Sequence, residues 1–337
     1  MSLEQYQATS DNREIIRDSE HRLFVVGDMG RRAIGSDVGP SSLIGRYFDN
    51  RTAFTGLPGG ELQLMWPGLG AGVADHSDFF EDPWDRIERS LPWIYGVVFD
   101  GKKAGETGKT VRSFHTGIHG TDHKGRGYNA LDPDTFWWAH ATFFDMTVRN
   151  ADEFSHNTLS SADRAKMYDE SLTWYERYGM PMKNVPTDYW SFYDKFNNIC
   201  DNVLEMTPAA EQAIGKALSQ DGERLPMIPK EIWPIIKPPV ANTLGCLAIG
   251  GLPERVRKRF DIPFSAIDKA QYDLFALAVR TNWWMVPDRL RYHPRAYAGV
   301  RRERGRRQSK SLLQQLHPRS VINNSANIAS DIYNSIR

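Results

Sequence analysis

Leu131-Asp132-Pro133-Asp134-Thr135-Phe136-Trp137-Trp138-Ala139-His140-Ala141-Thr142-Phe143-Phe144 opens with a full helix-start signal and carries one imidazole among aromatic rings. Asp132 fits the N-cap, Pro133 the first helical position, and Asp134 the positive end of the helix dipole. Within that helix Phe136, Trp137, Phe143 and Phe144 stand three and four residues from His140, so a single nitrogen donor is framed by rings. Upstream, Arg112-Ser113-Phe114-His115-Thr116-Gly117-Ile118-His119-Gly120 sets Arg112, His115, Thr116 and His119 at i, i+3, i+4 and i+7. On a helix these four share one face, which is too polar for ordinary core. The two segments read as facing walls of a pocket for a flat apolar macrocycle, and a haem suits both.

Working outward, most of the chain reads helical. Pro83-Trp84-Asp85-Arg86-Ile87 opens a segment in which Ile87, Leu91, Ile94 and Val98 recur at helical spacing, with Pro92 predicting a kink. Lys103 to His119 is the next expected helix, closed by Gly120. Ser160 or Ser161 caps a helix running through Tyr168, Leu172 and Tyr175 to the stop at Gly179. Further helical patterns cover 187–205, 207–218, 229–236, 263–284 and 288–301, with prolines at the joints. No hairpin and no repeat stands out. The expectation is an all-α protein, one large helical domain. Residues 1–60 read as a helical or irregular extension, 61–300 as the haem-binding catalytic domain, and 301–337 as a basic C-terminal helix or tail.

Composition narrows the class. Of 337 residues 40% are hydrophobic and 12% aromatic, enough for a sizeable core, and 42 basic side chains balance 42 acidic ones. No net field steers the chain to nucleic acid. Cys200 and Cys246 form neither CxxC nor CxxCH, which excludes a c-type haem attachment, a zinc ribbon and a disulfide framework. The first eighteen residues hold no apolar run, and the most apolar stretches are short and broken by Pro or Gly, so neither a leader nor a spanning helix is expected. These features read as a soluble cytoplasmic protein. The run of Arg301, Arg302, Arg304, Arg306, Arg307 and Lys310 reads as a solvated helix face, with contact to an anionic surface as its alternative.

A haem site needs one strong axial donor and an opposite side whose polarity governs bound oxygen. His140 fits the first role as iron ligand. Arg112, His115 and Thr116 fit the second: the cation can polarise bound oxygen or hold a propionate, the imidazole can move a proton or ligate iron, and the hydroxyl can donate a hydrogen bond. Phe136, Trp137 and Phe144 would line the cofactor, with His119 one turn behind. Other readings stay open. His140 can be a satisfied core histidine. His115, His119 and His123, four apart, can form a zinc triad, although no acid stands between the first two and Gly120 should end the helix before the third. Cys246, within Leu244-Gly245-Cys246-Leu247-Ala248-Ile249-Gly250-Gly251, can be a thiolate ligand or packed small-residue core.

Several motifs together resemble the oxygenase family that groups fungal MpaB-type enzymes with the bacterial rubber oxygenase, or latex clearing protein. They are Ala74-Asp75-His76-Ser77-Asp78-Phe79, Pro83-Trp84-Asp85-Arg86 with Ser90-Leu91, Val111-Arg112 with His115 and Gly120, Tyr128-Asn129-Ala130-Leu131-Asp132-Pro133, and Trp138-Ala139-His140-Ala141-Thr142. The resemblance covers about residues 60–200. It implies an all-helical fold around one b-type haem, with His140 as proximal ligand and the Arg112 helix on the distal side. Where rubber oxygenases carry Lys, this chain places His115, which implies a candidate sixth ligand. Where they use an upstream Glu as base, residues 93–101 offer only Asp100. Asp75, His76 and Asp78 read as a helix cap ahead of direct chemistry.

The reading is a haem b oxygenase acting with dioxygen or peroxide on an apolar small molecule, isoprenoid, lipid-like or aromatic, and served by an external electron donor. Its rivals are a six-coordinate bis-His haem carrier or sensor and a zinc hydrolase.

Overall fold

The computed structural model describes residues 38–309 apart from 157, 220–223 and 225–227. It also describes the backbone of three strands before residue 27 and of a helix that runs on to residue 315. The chain is predominantly helical. After β1 (Gln5–Thr9), β2 (Arg13–Arg17) and β3 (Leu23–Val26) come α1 (Leu43–Tyr47), α2 (Thr52–Leu64), α3 (Pro67–His76), α4 (Pro83–Phe99) and α5 (Ala104–Ser113). A hairpin of β4 (His119–Thr121) and β5 (Gly127–Asn129) precedes α6 (Pro133–Glu153), α7 (Ser161–Glu176), α8 (Tyr189–Asn202) and α9 (Pro208–Ser219). The described residues finish with α10 (Trp233–Gly250), α11 (Glu254–Arg259), α12 (Ala266–Asn282), α13 (Asp288–Arg291) and α14 (Pro294–Gln315).

The quoted stretch forms α6, and its start signal holds: Asp132 Oδ1 accepts from the amides of Asp134 and Thr135 at 3.1 and 3.0 Å. Fourteen of the 21 residues of α6 are buried, around its whole circumference, so it is the central helix and not an amphipathic surface one. α2 lies along it. Trp138 Nε1 donates to the carbonyl of Leu62 at 3.0 Å and Trp66 Nε1 to Thr135 Oγ1 at 3.1 Å, while Thr55 reaches Asn150 at the far end. The pairings run in opposite directions along the two helices, so α2 and α6 are antiparallel. On the other side α7 and α8 close the core through Trp174, Tyr168, Phe192 and Phe196, all essentially without exposure.

Four sequence expectations change. The first 26 residues contain a three-stranded antiparallel meander, with Ile15 opposite Val25 and Ile16 opposite Phe24, where a helical or irregular extension was expected. The β-branched runs Ile15-Ile16 and Val25-Val26 are the local cause. The helix expected over 103–119 stops at Ser113, and a hairpin follows. Its turn is held by Asp122, whose Oδ1 accepts from the amides of Lys124 and Arg126 at 2.9 Å each, with Gly125 at φ +78°. This Asp-to-Gly turn chemistry outcompetes helix continuation across Gly117 and Gly120. The short pattern at 229–236 becomes the start of α10, which runs through Pro238 and Pro239. Pro294 splits the last pattern, and α14 runs unbroken from 294 into the basic segment, where Arg302 holds the carbonyl of Phe99 at 2.8 Å, Arg304 pairs with Asp288 and Arg307 with Glu303. Arg301, Arg302, Arg304, Arg306 and Arg307 are all exposed, the solvated helix face that was expected, with these pairs tying it to the fold. Among the described residues no helix is long and apolar enough to cross a membrane.

Candidate functional site

His140 sits midway along α6 with 5% of its surface exposed. Its cage comes from α7 and the turn after it. Trp174 stands edge-on at 5.0 Å between ring centroids, Tyr175 at 5.1 Å and Tyr178 at 6.1 Å, while Ser171 Oγ lies 2.9 Å from Nε2. Ser171, Trp174, Tyr175 and Tyr178 follow the i, i+3, i+4, i+7 rule, which puts one hydroxyl and three rings on the stripe facing α6. Burial pushes the imidazole pKa down to about 3, against the Ser171 hydrogen bond, so His140 is neutral at ordinary pH. In the tautomer whose Nε2–H donates to the Ser171 hydroxyl, Nδ1 keeps a lone pair, and in either tautomer this buried nitrogen has no hydrogen-bond partner. The Tyr175 hydroxyl beside it is likewise buried and unpartnered.

The second wall is organised differently. Arg112 ends α5, His115 and Thr116 belong to the turn after it, and His119 lies on β4, so the four do not share a helical face. Arg112 is exposed, and its Nη1 donates to the carbonyl of Gly179 at 2.7 Å. Thr116 spends its hydroxyl on the carbonyl of Ser113. His119 is exposed, and its carbonyl contacts His76 Nε2 at 3.3 Å. His115 alone turns inward: its ring meets Phe136 edge-on at 5.8 Å, and Nδ1 lies 2.8 Å from the carbonyl of Val111. A carbonyl only accepts, so Nδ1 carries the proton and Nε2 the lone pair. Burial lowers the His115 pKa, opposed by the Val111 hydrogen bond and reinforced by the Arg86 charge.

Rings connect the two imidazoles. Phe136 is 5.3 Å from Tyr178 and 6.3 Å from Tyr175, both of which touch His140. The walls are brought together where α5 passes the end of α7. A Cβ on Gly108 would stand 2.3 Å from the carbonyl oxygen of Arg177, so only glycine permits that approach. Gly179, at φ +68°, turns the chain out of α7 and presents the carbonyl that Arg112 grips.

Of the expected lining, Phe136 joins this cluster and two other residues do not. Trp137 packs on Phe192 with the Lys195 ammonium 4.1 Å over its ring, and Phe144 packs on Tyr168 and Phe192, facing α8. Helical spacing does not separate them, since Trp137 stands three before and Phe144 four after His140; α6 is buried all round, and their side of it meets Phe192 of α8. The sequence reading missed Ser171, Trp174, Tyr175 and Tyr178, although their spacing was visible ahead of Gly179. It also left Arg86 unassigned. This partly buried cation, held by Ser77 Oγ at 3.1 Å and by Ser90, is the one whose charge reaches His115.

The remaining motif residues are structural. Asp75 accepts from the Tyr128 hydroxyl at 2.6 Å, tying α3 to β5, and burial with that carboxylate raises the phenol to about 12. Asp78 and Asp85 share Arg89 at 2.6 and 2.7 Å. Asp100 binds Arg295 at 2.5 Å and Thr107 at 2.7 Å; burial raises its pKa, but these bonds and the positive charges of Arg295 and Arg302 hold it below the usual carboxylate range. A carboxylate so engaged is a poor base. His115, His119 and His123 occupy a helix-end turn, a strand and a hairpin turn, and among the described residues no group of three or more His, Cys, Asp or Glu side chains could hold a metal ion. That removes the zinc triad. Cys246, half-buried, reaches the carbonyl of Asp268 at 3.2 Å, and burial raises its thiol pKa, which disfavours a thiolate ligand.

For a haem, the donor chemistry fits: one buried neutral imidazole with an unshared nitrogen inside a ring-lined cage, and a second neutral imidazole across Phe136 and Tyr178. A family model described as the catalytic domain of ER-bound oxygenase mpaB/B' and rubber oxygenase matches residues 45–281. No curated protein and no solved structure matches the chain.

Proposed function

The chain belongs to the ER-bound oxygenase mpaB/B' and rubber oxygenase catalytic-domain family, and on that premise we propose that it is a haem b oxygenase acting with dioxygen on an apolar small molecule. The observation that carries the cofactor is the buried, unpartnered Nδ1 of His140. A neutral imidazole without a partner in a closed aromatic cage costs stability unless something supplies the missing bond. Iron does so.

When bound, the haem supplies the oxygen-activating redox chemistry. The protein supplies the rest. His140 would hold the cofactor through Nδ1, and Ser171 fixes the ring's orientation through Nε2. Trp174, Tyr175, Tyr178 and Phe136 exclude water and offer an apolar surround to the cofactor and substrate. His115 is the acid/base group of the opposite wall, its Nε2 able to accept or return a proton, with Arg86 disfavouring the doubly protonated form. Arg112 fixes the Gly179 turn, and with it Tyr178, and places a cation at the rim where a haem propionate can be held. Thr116 and His119 stand behind His115 on the same outer wall.

A second reading, a haem carrier or sensor in which His140 and His115 would both hold the iron, rests on the tautomer of His115, which leaves a lone pair on Nε2. The spectrum separates the two. Protein reconstituted with haem is expected to show a Soret band at one haem per chain. Binding should weaken by at least about 100-fold in His140→Ala, and the spin state should change in His115→Ala. Stoichiometric haem retained without His140 sinks the assignment. Ferrous protein that stays low-spin and refuses carbon monoxide and dioxygen moves the carrier reading to the front.

A further inference from the structure

α12 is apolar on two opposite faces. The inner one, with Tyr272, Phe275, Ala276 and Val279, packs on Phe54, Phe154 and Leu247. The outer one follows a different register: Ile267, Ala270, Leu274, Leu277 and Thr281 alternate at intervals of three and four, and Trp284 extends the row in the 3-10 turn Trp283–Met285. This is the a/d spacing of a coiled-coil seam. Nothing in the described residues covers it. Ile267 is 71% exposed, Leu274 68%, Leu277 52% and Trp284 70%. Six of the ten large apolar side chains that stand out in solvent lie between Ile267 and Leu290. With Met285, the exposed apolar area is on the order of 700 Å², more than monomers usually leave uncovered and close to the ~800 Å² per partner of a standard interface.

We propose that this face is the contact of a symmetric dimer, in which α12 of one copy packs antiparallel on α12 of a second. The sequence of the stripe is self-complementary in that register. Leu274 meets Leu277 of the second copy at the centre, Ala270 meets Thr281, and the small and large ends Ile267 and Trp284 meet each other. A two-fold axis repeats each pairing, as an isologous interface requires. The flank agrees. Asp273 and Arg280 lie on the same side of the seam, one turn on either side of its centre, so each comes opposite the other across the axis, twice. Asp273 is held within its own chain only by an exposed pair with Lys269 at 2.6 Å, and Arg280 uses Nε and Nη2 on the carbonyl of Glu153 and not on a carboxylate. A lipid surface fits less well, because Asp268, Asp273 and Asp288 border the stripe together with its cations.

Light scattering and sedimentation of the full chain test this. A mass twice 38.4 kDa is expected at micromolar concentration. Leu274→Glu, on a side chain already in solvent, should keep the circular dichroism spectrum and weaken dimerisation by about 100-fold or more. Register is read by cross-linking. In an antiparallel pair the two copies of residue 267 are about 25 Å apart, so Ile267→Cys alone should not form a disulfide across the dimer, while a mixture of Ile267→Cys and Trp284→Cys should. A monomer at all these concentrations overturns the proposal, whether the stripe then binds vesicles or is covered by residues 316–337 of its own chain. A dimer indifferent to Leu274→Glu overturns it too, and Ile267→Cys linking to itself overturns the antiparallel register.

Discussion

His115 meets Phe136 and His140 meets Tyr178, two rings 5.3 Å apart, yet the segments that carry the imidazoles are built in opposite ways. The His140 wall is interior: Ser171, Trp174 and Tyr175 are all 1% exposed or less, and its hydrogen-bonding capacity is left incomplete at Nδ1 and at the Tyr175 hydroxyl. The His115 wall is mostly solvent-facing, and its polar groups are spent on nearby backbone, Arg112 on Gly179, Thr116 on Ser113 and His115 on Val111. A wall with unmet bonds inside a dry cage is prepared to hold something. A wall whose groups are satisfied and wet is prepared to exchange protons and admit a substrate. Binding and reactivity should therefore separate on substitution.

The largest effect expected is on the interior wall. Trp174→Ala removes a fully buried ring that meets His140 edge-on and should cost ~3–5 kcal/mol in denaturant unfolding. An effect no larger than that of an exposed residue would break the contrast.

Next comes acid sensitivity. His140 titrates near 3 when folded and near its ordinary value when unfolded, so between those values the unfolded chain binds a proton that the native chain does not. Native stability is full above the unfolded value and falls as pH drops toward 3, by on the order of 2–4 kcal/mol for the cofactor-free protein. His140→Gln should flatten that limb of the stability curve. Glu61, wholly buried on α2 with Oε2 unpartnered, acts in the opposite sense: burial raises it to about 8, so the folded chain keeps a proton that the unfolded chain loses. Its contribution weakens as pH rises toward 8. Glu61→Gln should gain on the wild type across that alkaline limb, and equal slopes for the two proteins would refute the lone, uncompensated carboxyl.

Ser171→Ala comes third. Removing the partner of Nε2 frees the ring and should lower haem affinity by about 10–100-fold, read by haem transfer, with little change in the fold. The smallest effect belongs to the outer wall, where Arg112→Ala should shift stability by less than about 1 kcal/mol while altering turnover or the Soret position. A loss of stability like that of Trp174→Ala would erase the distinction between the walls.

The legible part of the molecule was the part ruled by local signals. Asp132-Pro133-Asp134 marked the start of the central helix, Ser160 forms the capping box of α7 with Asp163, and the motifs from Ala74 to Thr142 fall inside the span matched by the family model. Local reasoning failed where two signals competed. At Thr116-Gly117 a helical spacing was read through residues whose hydroxyl and flexibility favour a turn, and the Asp122-to-Gly125 turn then committed the chain to a hairpin. Trp137 and Phe144 were assigned because they stand three and four residues from His140, but a helix buried all round sends residues at that spacing to different partners.

The sequence by itself determined a predominantly helical chain, a central helix bearing one histidine, and the family to which that helix's motif belongs, because caps, prolines and short-range spacing act within a few residues. Only the tertiary structure decided which groups meet. It set α7 against His140 and left Nδ1 without a partner, brought the charge of Arg86 to bear on His115, drew Asp100 away into an ion pair with α14, and turned one apolar face of α12 outward. Each of those outcomes depends on long-range packing through close approaches such as Gly108 on Arg177, and burial, which sets every pKa at the site, is not a property of the residues alone.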